Sequence, residues 1–195
     1  MNRVVKQLGC SLVLVCLLAP MALAGEKETQ ENPIYKHWAQ FKPGTYVVLQ
    51  DVNEAAGQKT KTTMTHTLKE VTPQKVVVET TGVTEMNGEK FENPPTQQEY
   101  PATYTIETEK APAEHEEQKA PGYETEQGEE EIEVAGTKFK AKWVRTEMKQ
   151  AGMVMTSKMW NCDEVPGQLL KSITETKGEF ATKSVMEVVK IEIKK

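Results

Sequence analysis

Residues able to do covalent or metal chemistry are few in this chain and widely spaced. Ser157, Ser172 and Ser184 are the only serines beyond residue 24, and none lies in a G-x-S-x-G elbow. His37, His66 and His115 stand apart, with no HExxH and no CxxC, so the spacing indicates no zinc site. Asp51 and Asp163 are the only aspartates, which is poor material for a calcium loop. No glycine-rich phosphate cradle or dinucleotide fingerprint occurs. The adjacent pair Asp163-Glu164 has the composition of a carboxylate dyad, but adjacency reads better as an exposed loop. Catalytic residues, metal ligands and cofactors are therefore expected to be none. A hydrolase of unrecognised type stays open only because two carboxylates can converge from anywhere in a chain this rich in glutamate.

The more suggestive set is apolar. Trp143, Met153, Met155, Met159 and Trp160, with Met148 nearby, are the candidate ligand-binding residues. Methionine is flexible and polarizable, which suits irregular apolar ligands. His66, between Met64 and Leu68 on an alternating strand, is expected to be a satisfied, half-buried residue. Cys162 would be left as the one thiol after loss of a leader, and is expected to be a buried small hydrophobe.

The elements that must position these residues are mostly strands. Asn32-Pro33 reads as an N-cap with proline at the first helical position, and Ile34, Trp38 and Phe41 share a face of a short helix ended by Pro43-Gly44. From residue 46 the pattern is extended: residues 46–52, 59–71 and 76–84, with Asn87-Gly88 as a hairpin turn. Threonine outnumbers serine 22 to 4, and β-branching favours the extended backbone. Residues 93–128 carry Pro94, Pro95, Pro101, Pro112 and Pro121 among Glu and Gln, and read as an acidic loop insertion holding one strand at 104–106.

Strands resume at 131–134 and 137–148 around Ala135-Gly136. Phe139, Ala141 and Trp143 alternate with Lys138, Lys140 and Lys142, one dry face and one wet. Residues 153–162, 169–176 and 179–193 follow, with Val185, Val189, Ile191 and Ile193 expected on one face of the last. The fold class is mainly β: a single antiparallel meander, strongly curved or an open barrel, with the short N-terminal helix packed on it.

Residues 1–24 read as a signal peptide. Arg3 and Lys6 precede an apolar run from Leu8 to Ala19, and Ala22-Leu23-Ala24 supplies the cleavage pattern. Residues 25–44 are a polar segment plus the helix, and 45–195 the β domain with its insertion at about 93–128. Cleavage near Ala24 would leave a periplasmic or extracellular protein without a membrane span. It would also leave 22 basic against 29 acidic side chains, a net charge of −7, which argues against a nucleic-acid partner.

The stretch from Met159-Trp160 through Val165-Pro166-Gly167 to Lys171, with Phe41-Lys42-Pro43-Gly44-Thr45-Tyr46 and the strand ending at Trp143, resembles uncharacterised secreted bacterial β-rich proteins. That group implies no activity. More distantly, the leader, helix and meander resemble the open barrel of periplasmic lipoprotein carriers, a likeness of fold alone. The expected function is a non-catalytic exported protein that binds a lipid or other apolar ligand in the concave face of a curved sheet. The alternative is an envelope or extracellular protein-interaction module.

Overall fold

The computed structural model describes residues 26–108, 122–150, 152–179 and 181–194. The expected leader and its cleavage point lie outside them, as do residues 109–121 of the acidic segment. The described chain runs β1 (Glu26–Glu31), α1 (Pro33–Ala39), β2 (Tyr46–Ala55), β3 (Gln58–Val71), β4 (Lys75–Met86), β5 (Glu89–Pro101) and β6 (Thr103–Thr108). It continues with β7 (Tyr123–Val134), β8 (Thr137–Gln150), β9 (Met153–Asn161), β10 (Leu169–Lys177) and β11 (Thr182–Glu192). The described residues are mainly β with one helix. None of the described helices is long and apolar enough to cross a membrane.

Nine strands form one antiparallel sheet in the order β5-β4-β3-β2-β11-β10-β9-β8-β7, and β1 pairs with β6 separately. Two meandering halves therefore join where β2 meets β11, in register from Tyr46 opposite Glu192 to Ala55 opposite Thr182. Three hairpins close through two residues with positive φ: Ala56-Gly57, Asn87-Gly88 and Ala135-Gly136. That backbone matches strand twist but strains alanine. Ala135→Asn is accordingly expected to raise stability by about 0.5–1 kcal/mol. A urea midpoint that stays put or falls would contradict this.

Helix α1 begins where Asn32 Oδ1 accepts from the Ile34 amide at 3.0 Å, with Pro33 in the first turn. The expected face is rotated. Ile34 is exposed, while Tyr35, Trp38, Ala39 and Phe41 meet Val47, Leu49, Leu68, Val76, Val78 and Val188. Tyr35 is drawn inward because its hydroxyl donates to the Thr72 carbonyl at 2.9 Å. A second cluster holds Val134, Ala141, Trp160, Cys162, Val165 and Leu170. Between the clusters the turn Val165-Pro166-Gly167-Gln168 closes with a 2.8 Å bond from the Gln168 amide to the Val165 carbonyl. Gly167 takes φ +77, and a Cβ there would stand 3.4 Å from the Trp38 ring.

Three expectations are corrected. Within the described residues the acidic segment is strand, not loop: 93–101 complete β5, 103–108 make β6, and 123–128 begin β7. Pro94 and Pro95 fit because β5 is an edge strand and its pairing with β4 shifts register there, between Thr80 and Gly82. The glutamates of β7 fit because β7 is the other edge, with Glu129, Glu131 and Glu133 opposite Lys142, Lys140 and Lys138. The polar segment ahead of the helix holds a strand that was not expected, β1, paired with β6. In β11 a register shift between Val188 and Lys190 breaks the expected face: Val188 is buried and Val189 exposed.

Candidate functional site

Register carries two faces across the sheet, because directly opposed residues on antiparallel strands point the same way. From Leu49, buried under α1, the same face continues through Asp51, Met186, Ser172, Met159 and Val144. The opposite face carries Glu187, Lys171, Trp160, Trp143 and Gly128. The five candidate residues are thus divided. Trp143 and Trp160 form a cross-strand pair on one face, and Met153, Met155 and Met159 lie on the other.

The tryptophan face is a closed network. The Trp143 ring covers Gly128, where a Cβ would come within 2.8 Å of Cζ2. Lys158 Nζ stands 4.4 Å from the Trp143 ring centre and 4.5 Å from that of Trp160. The same ammonium reaches Glu130 at 2.9 Å, and the Trp160 indole N–H donates to that carboxylate as well. Hydrogen bonds from Lys158 first and Trp160 second hold the Glu130 carboxyl below its usual range. Arg145 bridges Glu126 at 3.1 Å and Glu147 at 2.8 Å. Each of these groups already has its partner, so this face is a structural clasp.

The methionine face is open. Met153 and Met159 are each 44% exposed and Met155 is 37% exposed. Met155 stands opposite Met148, Met159 opposite Val144, and Tyr123 opposite Met148. Between these apolar rows runs a row of small polar residues: Thr125, Thr146, Ser157, Thr174, Ser184 and Asn53 on six successive strands. Ser157 and Thr174 hydroxyls lie 3.3 Å apart, and Ser184 donates to Asp51 at 2.8 Å. Hydroxyl and thioether residues neighbour one another on this face along β8, β9 and β11, but their assembly into rows needs the register, which local pattern does not contain.

A cleft of about 590 Å³ opens between the β2–β3 turn and the ends of β10 and β11. Its lining mixes Ala55, Ala56 and Ala181 with charged side chains, among them the pairs Lys59–Glu54 at 3.1 Å and Lys183–Glu175 at 2.8 Å. It is not an apolar hollow.

His66 lies on the α1 face, opposite Val47 and half-buried, with Nδ1 2.8 Å from the Thr80 hydroxyl. Burial pushes its pKa below the ordinary value. The folded state therefore resists the proton that the unfolded chain accepts. Its contribution to stability is intact above the unfolded value near 6.5 and declines as pH falls below it. His66→Gln is expected to flatten the stability profile between pH 7 and 5. An unchanged slope, measured by urea unfolding at each pH, would contradict the assignment.

Cys162 is buried, its amide donating to the Gln168 carbonyl at 2.8 Å, and burial pushes its thiol pKa up, the reverse of an activated nucleophile. Among the described residues no group of three or more His, Cys, Asp or Glu side chains is placed to hold a metal ion. Compared with known proteins, the chain matches no family model, no curated protein and no solved structure.

Proposed function

We propose that the protein is an exported, non-catalytic binding domain that holds a lipid or other apolar ligand against the methionine face of β8 and β9. The carrying observation is the exposure of Met153, Met155 and Met159 together on one face beside Tyr123 and Met148. Flexible thioether side chains adapt to acyl chains, and the neighbouring hydroxyl row suits a polar headgroup. The leader pattern supports export, and the likeness to periplasmic lipoprotein carriers points the same way. Curvature of the sheet is part of the proposal, supported by the approach of β7 to β11 although three strands lie between them.

A delipidated sample titrated with a fluorescent polyene fatty acid tests this. Wild type is expected to take up the probe, and Met155→Glu with Met159→Glu to weaken uptake about tenfold or more, since each side chain's burial is worth about 1.5–3 kcal/mol. No uptake by correctly refolded wild type would defeat the reading. A protein-interaction module is the second reading, favoured by the openness of the face, which no described element covers. Photo-crosslinking from position 155 in the envelope would then trap protein and not lipid.

A further inference from the structure

Met148, Met153 and Met155 carry a second chemistry that apolar binding does not use. Met155 and Met148 stand directly opposite on β9 and β8, so their Cα atoms are about 4.5–5.5 Å apart and their side chains rise from the same face. Met153 is the next residue of β9 on that face, about 6.6–6.8 Å along the strand. The Met153 side chain leans on Gly178, where a Cβ would meet its Cγ at 3.0 Å, and three rotatable bonds allow it to swing toward the pair.

Three thioether sulfurs can thus converge on one point above the sheet. Thioethers are neutral, soft donors that select Cu(I) and its analogue Ag(I) over Mg²⁺, Ca²⁺ or Mn²⁺. The residues paired with or flanking them on this face, Gln150, Tyr123 and Thr176, carry no positive charge to repel a cation. We infer that Met148, Met153 and Met155 form a surface site for a soft monovalent metal ion, Cu(I) or Ag(I). The site does not rest on the lipid-binding proposal, because it needs the sulfur atoms and not the apolar area.

The test uses the full chain carrying Cys10→Ala, Cys16→Ala and Cys162→Ala, so that no thiol competes. Ag(I) is titrated while the methionine methyl signals are followed by NMR. One equivalent is expected to shift the methyls of Met148, Met153 and Met155 and to leave Met64 and Met86 in place. Met155→Leu, which deletes the sulfur, is expected to weaken Ag(I) binding about tenfold or more, and Met64→Leu to leave it unchanged. Affinity is expected to be the same at pH 5 as at pH 7, because thioethers hold no proton to displace, unlike thiolate or imidazole ligands. Absence of saturable binding, undiminished binding by Met155→Leu, shifts confined to other methionines, or loss of binding at pH 5 would each overturn the assignment. Loss of lipid uptake with Ag(I) binding intact would instead remove only the lipid reading.

Discussion

Replacing Trp38 with alanine is expected to cost about 3–5 kcal/mol, seen as a large fall in the urea midpoint. Helix α1 has seven residues, too short to persist by itself, so tertiary anchors must hold it. Trp38 is the main one, 5% exposed among side chains from β2, β3, β4 and β11. Tyr35, Ala39 and Phe41 are only partly buried beside it, and the polar ties are the Asn32 cap, Tyr35 on Thr72, and Gln40 donating to the Asp163 carbonyl at 2.9 Å. The ring also meets Gly167 and so braces the turn that leads into the second cluster. Its loss should therefore uncover Leu68 and Val76 while loosening that turn. Trp38→Phe, which keeps most of the apolar volume, should recover more than half of the loss. A cost below about 1 kcal/mol for the alanine variant would mean the helix is not seated on this core.

Trp160→Ala is the second large effect, again about 3–5 kcal/mol. The ring is 8% exposed, lies opposite Trp143, and belongs to the cluster containing Ala141, Cys162 and Leu170. Deleting it leaves a cavity, removes one of the two rings beneath Lys158, and takes the indole N–H from Glu130. Cavity and lost packing dominate, because Glu130 and Lys158 are partly exposed and keep each other at 2.9 Å. Trp160→Phe separates the two contributions: it should cost about 1–2 kcal/mol, the share of the hydrogen bond and lost ring area. Equal costs for Phe and Ala would show that the clasp, not packing, holds β7, β8 and β9 together.

Strand identity was legible wherever one face is wet. Lys138, Lys140 and Lys142 against Phe139, Ala141 and Trp143 is a period-two signal that only a half-buried strand produces, and the lysines are exposed as that pattern requires. Asn87-Gly88 was legible because its turn needs φ values that those residues supply cheaply. Residues 93–101 and 123–128 of the two edge strands were not. The features that protect an edge, Pro94-Pro95 in β5 and the glutamates of β7, are the same ones that mark a loop.

Pairing between β2 and β11 joins segments at opposite ends of the chain, which no local window can show. Of the candidate site, the division of Met159 from Trp160 was already implicit, because consecutive strand residues point apart. What pattern alone did not reveal was that Met148 lies opposite Met155, or that a hydroxyl row separates the apolar rows. Those are facts of register, which runs without a shift through the pairing of β7, β8 and β9.

The central proposal is that the open face of β8 and β9 is where the protein meets an apolar ligand. Methyl NMR of methionine-labelled, delipidated protein titrated with a long-chain fatty acid addresses it residue by residue. Saturable shifts of Met148, Met153, Met155 and Met159, with Met64 and Met86 unmoved, are the expected result. Shifts centred on Trp143 and Trp160 with those four methyls unmoved, or no saturable shift at all, would contradict it.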